Sequence, residues 1–132
     1  MHSSGSVIVM QAPERLDHTG AAMFLERLKP LLEDSRPRLV LDFSEIRHID
    51  SAGVEMLLLC MEEAMKRDGD VKLAAVPPSS AVILELMKVD RLFEIFDTPE
   101  EAVRSFHNLS SYEIPADLQW FDGSPGDLEA TR

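Results

Sequence analysis

Between Leu39 and Met65 the chain changes from one hydrophobic period to another. Leu39-Val-Leu-Asp-Phe43 is a short apolar run, the pattern of a buried strand. A polar connection follows, and Asp50-Ser51-Ala52-Gly53 then leads into apolar residues at helical spacing. Asp and Ser are helix-capping types, because their side-chain oxygens accept from backbone N–H groups that have no partner inside the helix. A strand that feeds a helix through a short loop is a unit of α/β architecture. Ser51 therefore stands at the exposed end of such a layer, where free N–H donors and a partial positive charge favour an anion such as phosphate.

At 132 residues the chain suits a single domain with a real core. Its longest apolar run, Met56 to Met61, is far too short to span a membrane. Met1-His-Ser-Ser-Gly-Ser6 lacks the apolar core of a secretory signal and reads as a cloning remnant, residues 1–6. One cysteine, Cys60, excludes an internal disulfide and fits a reducing cytoplasm. A net charge of −11 argues against nucleic acid and anionic lipid as partners. Another protein is the expected partner.

Read in order, Val7 to Met10 is a first strand, and Pro13 ends its pairing or confines it to an edge. Leu16-Asp17-His18-Thr19 supplies caps for a helix with Met23, Phe24, Leu28, Leu31 and Leu32 on one stripe. The Leu39–Phe43 strand and a helix from Ala52 to Arg67 follow, the latter stopped at Asp68-Gly69-Asp70. Val71 to Val76 is a third strand. Ser79 or Ser80 then caps a helix carrying Val82, Ile83, Leu86 and Met87. Leu92 to Phe96 is a last strand, and Thr98-Pro99-Glu100-Glu101 opens a final helix. Alternating strands and helices imply right-handed crossovers and a mostly parallel four-stranded sheet packed with about four helices. No internal repeat is evident. From Asn108 to Arg132 the composition shifts to an acidic tail, with Tyr112 and Trp120 the only residues of their kinds. Ile114, Leu118, Trp120 and Phe121 would let its first half dock on the domain or on a neighbour.

The order of elements, the strand ending Leu41-Asp-Phe-Ser44, the Ile49-Asp-Ser-Ala-Gly53 corner and the Asp90-Arg-Leu-Phe-Glu-Ile95 stretch resemble a STAS domain. The likeness covers residues 7–107 and is to the bacterial anti-sigma-factor antagonists; Leu16-Asp17-His18-Thr19 resembles their segment before the first helix. The resemblance implies that Ser51 is phosphorylated by a partner anti-sigma factor that is itself a serine kinase. It implies further that Asp50 positions the loop and that Gly53 permits the tight entry to the helix. This sequence departs from the pattern at Ala52, where a second serine is usual, at Glu14-Arg15, where a glycine is usual, and in its short opening strands.

Other readings of the same residues are weaker. His48, near Ser51, suggests a Ser–His hydrolase, but no nucleophile elbow surrounds Ser51 and no third group orients the imidazole. Asp42, His48 and Asp50 match no zinc or calcium spacing, and glycines are too scattered for a phosphate-cradling loop. No cofactor and no metal are expected, and the chain reads as a substrate rather than an enzyme. On the helix after the corner, Val54, Leu57, Leu58, Met61, Ala64 and Met65 share one face at 100° per residue. Met56 and Leu59 fall opposite, among Glu55, Glu62, Glu63 and Lys66, as a partner surface or as a seat covered by the C-terminal tail.

The expectation is a cytoplasmic partner-switching regulator of transcription. It docks a kinase-type anti-sigma factor through Asp17, His18, Thr19, Asp50, Ser51, Ala52, Gly53, Glu55, Met56 and Leu59, and a phosphatase resets it. The alternative is a STAS scaffold or sensor that self-associates or binds a small ligand without serine phosphorylation. A homodimer is compatible with either.

Overall fold

The computed structural model describes residues 6–113, with side-chain surroundings through residue 107. Its elements are β1 (Ile8–Gln11), β2 (Arg15–Leu16), α1 (His18–Leu32), β3 (Arg38–Asp42), β4 (His48–Ile49), α2 (Ser51–Lys66), β5 (Asp70–Ala74), α3 (Pro78–Leu86), β6 (Ile95–Phe96) and α4 (Pro99–Glu113). Four strands form a parallel sheet in the order β1-β3-β5-β6. The remaining pair, β2 and β4, makes a separate parallel ladder of two residues each. The chain divides into two compact units, Met1–Ala102 and Val103–Arg132. Residues 1–5 and the tail from 114 on, with the docking expected of Ile114, Leu118, Trp120 and Phe121, lie outside the described residues.

The apolar run at Leu39 becomes the inner strand β3, with Leu39 opposite Ile8 on one side and Val71 on the other. Leu39, Val40 and Leu41 are all buried, as expected of a parallel strand closed on both faces. Leu39, Leu41, Val71 and Leu73 join Phe24 and Leu28 of α1 and Val54 and Leu57 of α2 in one core. Lys72 of β5 is fully buried, yet its Nζ lies 2.9 Å from Glu94 Oε1 and 5.6 Å from the centre of the Phe96 ring. The long stem crosses apolar surface so that the ammonium meets a carboxylate that is itself largely exposed.

The helix ends follow their side chains. Asp68 takes the left-handed position after α2 at φ 62°. The Asp68 N–H donates to Met65 O and the Gly69 N–H to Ala64 O, which closes a Schellman turn. Thr98 Oγ1 accepts from the Glu101 N–H at 3.2 Å, as its spacing implies. In contrast, α3 starts on Pro77-Pro78 with no side-chain cap, so neither Ser79 nor Ser80 plays that part. Leu92 belongs to a turn, its N–H bonded to Val89 O, and only Ile95 and Phe96 pair as a strand.

The burial of α2 differs from the sequence expectation by about a quarter of a turn at 100° per residue. Met56 is 3% exposed and in the core, whereas Met65 is 64% exposed and Leu58 only half-buried. The reason is α1, which packs alongside α2 and so covers a second side of that helix, the side of Met56 and Cys60. Met56 is therefore not a surface residue. Leu59, 48% exposed, is one. Met23, Val82, Leu86 and Met87 also face solvent rather than the core.

Met56→Glu should lower the thermal midpoint sharply, because it puts a carboxylate into apolar packing. Leu59→Glu should shift stability by no more than about 0.5 kcal/mol, and Leu57→Ala should cost about 2–5 kcal/mol. Thermal and urea unfolding of the three variants checks this.

Candidate functional site

Two helix N-termini meet at one corner, and the two-residue ladder joins them. Leu16 pairs with Ile49, so the residue following each strand residue is an aspartate, Asp17 in one strand and Asp50 in the other. Each aspartate caps the helix that follows. Asp17 Oδ1 accepts from the Gly20 N–H at 3.0 Å, and its carbonyl accepts from the Ala21 N–H. Asp50 Oδ1 accepts from the N–H groups of Ala52 (3.0 Å) and Gly53 (3.4 Å), and its carbonyl from that of Val54. The motif is the same on both sides: Leu16-Asp-His-Thr-Gly20 and Ile49-Asp-Ser-Ala-Gly53, each an apolar residue, an Asp cap and a Gly three positions later.

The glycines explain the motif. A Cβ on Gly20 would collide with the Arg15 carbonyl oxygen, and one on Gly53 with the Leu16 carbonyl oxygen. Both helices thus press their first turns against the backbone of β2, as only residues without a side chain can. The ladder and the short repeat were not read from the sequence. Two residues show no period, but the spacing of the two Asp-x-x-Gly segments is a signal that could have revealed the corner.

The structure brings Asp17, His18 and Thr19 to the same corner as Asp50, Ser51, Ala52 and Gly53. His18, Thr19 and Ser51 are exposed, Asp17, Asp50 and Ala52 are half-buried, and Gly53 is buried. Ser51 is the first residue of α2, and Asp50 does the capping, so the cap role considered for Ser51 falls to its neighbour. Glu55 and Leu59 continue outward along α2 from Ser51, while Met56 turns into the core.

Electrostatically the corner is mixed. Arg15 Nε lies 3.1 Å from Asp17 Oδ2. The Gly20 N–H, and secondarily Arg15, hold the Asp17 carboxyl below its ordinary value. His48 Nε2 stands 3.7 Å from Asp50 Oδ2, beyond hydrogen-bond reach. The Cys60 thiol, next to Met56 Sδ at 3.5 Å, is pushed up to about 12 by burial and is no nucleophile at neutral pH. Among the described residues, no cluster of His, Cys, Asp or Glu is arranged to hold a metal ion, and no helix is long and apolar enough to cross a membrane.

Chemically, the corner offers an exposed hydroxyl on a helix N-terminus, in a rigid frame, with no general base hydrogen-bonded to it among the described contacts. Such a hydroxyl can receive a group that another protein activates and delivers.

The STAS domain family matches residues 1–102. Among solved structures, an anti-sigma-factor antagonist (STAS) domain protein from Planctomyces limnophilus superposes with a TM-score of 0.69 and 18% identity, over 81% of this chain and 95% of that one. The anti-sigma factor antagonist SpoIIAA, in its unphosphorylated form, gives 0.67 and 19% over 76% and 87%. The STAS domain of a SulP transporter from Vibrio cholerae gives 0.63 and 16% over 83% and 86%. At these identities the likeness is one of fold.

Two measurements test the corner. Gly→Ala inside a helix ordinarily stabilises by about 1 kcal/mol. Gly53→Ala should instead destabilise by about 1–3 kcal/mol through overpacking and shift the backbone amides of Leu16–Thr19 as well as those of α2. The lowered Asp17 carboxyl contributes stability that is present above the ordinary carboxylate range and is lost as pH falls through its folded value. Asp17→Asn keeps a good cap but does not titrate, so its urea midpoint should fall less between neutral and strongly acidic pH than that of the wild type.

Proposed function

The chain belongs to the STAS domain family, and from that premise we propose that it is an anti-sigma-factor antagonist-like regulator, a binding module rather than an enzyme. Its partner is an anti-sigma factor with serine-kinase activity, and its switch is Ser51. The observation that carries this reading is the ladder-held corner, which sets an exposed Ser51 beside Asp17, His18 and Thr19 on one surface.

In the unphosphorylated state the partner docks over Asp17–Thr19, Asp50–Gly53, Glu55 and Leu59, and so releases the sigma factor it held. The partner's base then takes the Ser51 hydroxyl proton. A bond forms from Ser51 Oγ to the γ-phosphorus of the partner's ATP, the bridging P–O bond breaks, and ADP leaves. The phosphate brings a charge of about −1.5 to −2 next to Asp50. Asp50 Oδ1 already takes the Ala52 and Gly53 N–H groups, so the new charge faces outward into the interface. Docking weakens until a phosphatase hydrolyses the ester. The reading draws support from SpoIIAA, a fold neighbour whose structure is known in a phosphorylated form as well. Cytoplasmic placement follows from the partners proposed.

Incubation of the wild type with kinase-type anti-sigma factors and ATP should add the mass of one phosphate, and Ser51→Ala should add none. Because Ser51 is not the cap, Ser51→Ala should change stability by no more than about 0.5 kcal/mol. Phosphate that persists in Ser51→Ala would place the switch elsewhere. No incorporation with any such kinase, together with self-association of the purified chain, would favour a STAS scaffold instead; a STAS domain of this fold also occurs in a SulP transporter.

A further inference from the structure

The outward arc of α2 carries more than the residues at its first turn. Ser51, Glu55, Leu58, Leu59, Glu62, Met65 and Lys66 fall within about 120° at 100° per residue. Leu59 is 48% exposed and Met65 64% exposed, with Glu55 and Glu62 exposed between them and Leu58 half-buried. From Ser51 to Met65 this stripe is about 21 Å long at 1.5 Å per residue. Apolar and acidic side chains alternate along it. Glu63, at its flank, pairs with Lys66 at 3.2 Å. Glu55 and Glu62 are in no ion pair among the described residues.

We propose that this α2 stripe is a docking surface for a basic amphipathic helix of the partner protein, laid along α2 from the Ser51 corner to Met65. Charge complementarity selects this occupant. Two carboxylates without cationic partners flank two exposed apolar side chains at helical spacing, so a matching helix presents Lys or Arg beside Leu-type residues. A second copy of this chain, at −11 net charge, would bring acid against acid. The exposed apolar residues of α3, Val82 and Leu86, have a single carboxylate on their face, Glu85, and no Asp-capped serine corner at the start of their helix. The proposal rests on the reading of the Ser51 corner as a protein-docking site and does not require that Ser51 take phosphate.

The test uses the full, unphosphorylated chain, labelled with nitrogen-15, without kinase or ATP. The probe is a synthetic helical peptide of about 16 residues, which spans about 24 Å as a helix, with Leu at i, i+4, i+7 and i+11 and Lys on the flanks of that face. A scrambled peptide of identical composition is the comparison. The designed peptide should shift the amides of Glu55–Lys66 and bind at least about tenfold more weakly to Glu55→Lys/Glu62→Lys. Leu59→Ala should weaken it about fivefold, and added salt should weaken it further. Thermal midpoints near that of the wild type confirm that these exposed substitutions leave the fold in place. Equal binding of the scrambled peptide, amide shifts centred on Val82 and Leu86, or no binding would each overturn the proposal. A phosphorylation assay that fails at Ser51 leaves this result standing, and failure here leaves the Ser51 assay standing.

Discussion

The close approach of two helices to the backbone of β2 organises this molecule. Gly20 and Gly53 each stand where any Cβ would strike a carbonyl oxygen of Arg15 or Leu16. Protein interiors are close-packed and do not deform continuously, so this contact fixes where both helices begin. The ladder pairing Leu16 with Ile49 fixes their register. The two Asp caps then fall side by side, and His18 and Ser51 become the first residues of their helices. Removing either glycine would alter the corner from two elements at once.

The same frame decides how charge is handled. A helix N-terminus favours an anion, but at α2 the favourable donors are partly taken, because Asp50 Oδ1 accepts from both Ala52 and Gly53. A phosphate on Ser51 would therefore benefit from the helix field without displacing the cap, and the fold has no reason to rearrange. Its effect would be exerted on whatever lies opposite. Charges separated by less than the screening length of about 8 Å at physiological salt still interact, so a surface docked on this corner would feel the added charge.

Much of the scaffold could be read from residue pattern, since burial of one face imposes a period. The inner strand at Leu39–Leu41, the starts of α1, α2 and α4, and the Thr98 cap all follow from local chemistry. What escaped was set by tertiary neighbours. Met56 is buried because α1 lies against α2, and no property of α2 alone distinguishes that side from the one carrying Leu58 and Met65. For α3, the fold covers Ser80 and Leu84, a pairing that the apolar residues of the helix do not single out. The β2–β4 ladder is too short for any period. At the site, Asp17, Asp50 and Gly53 could be named from capping chemistry and resemblance. The reason they work together lies in a pairing of residues 33 positions apart.

The corrected orientation of α2 also sharpens what a partner can read. With Met56 inward, the exposed side of the helix is no longer a pair of apolar residues opposite the core. It is a stripe that starts at Ser51 and alternates Glu55, Leu59, Glu62 and Met65. Apolar area alone discriminates poorly among partners, since any greasy surface can cover it. Specificity comes from charges that penalise the wrong partner as well as favour the right one. On α2 the two features share one face and one end, so negative charge added at Ser51 would extend an acidic pattern already present. A basic partner helix would feel that addition as attraction at its flanks and as lost space at its tip. The sign of any such effect would then depend on which dominates at Ser51 itself. There Gly53 holds the first turn close against the backbone of β2, so the main chain that carries Ser51 has little room to shift. In a packed interface the steric term wins at close range, because overlap energies rise far more steeply than screened Coulomb attraction falls off.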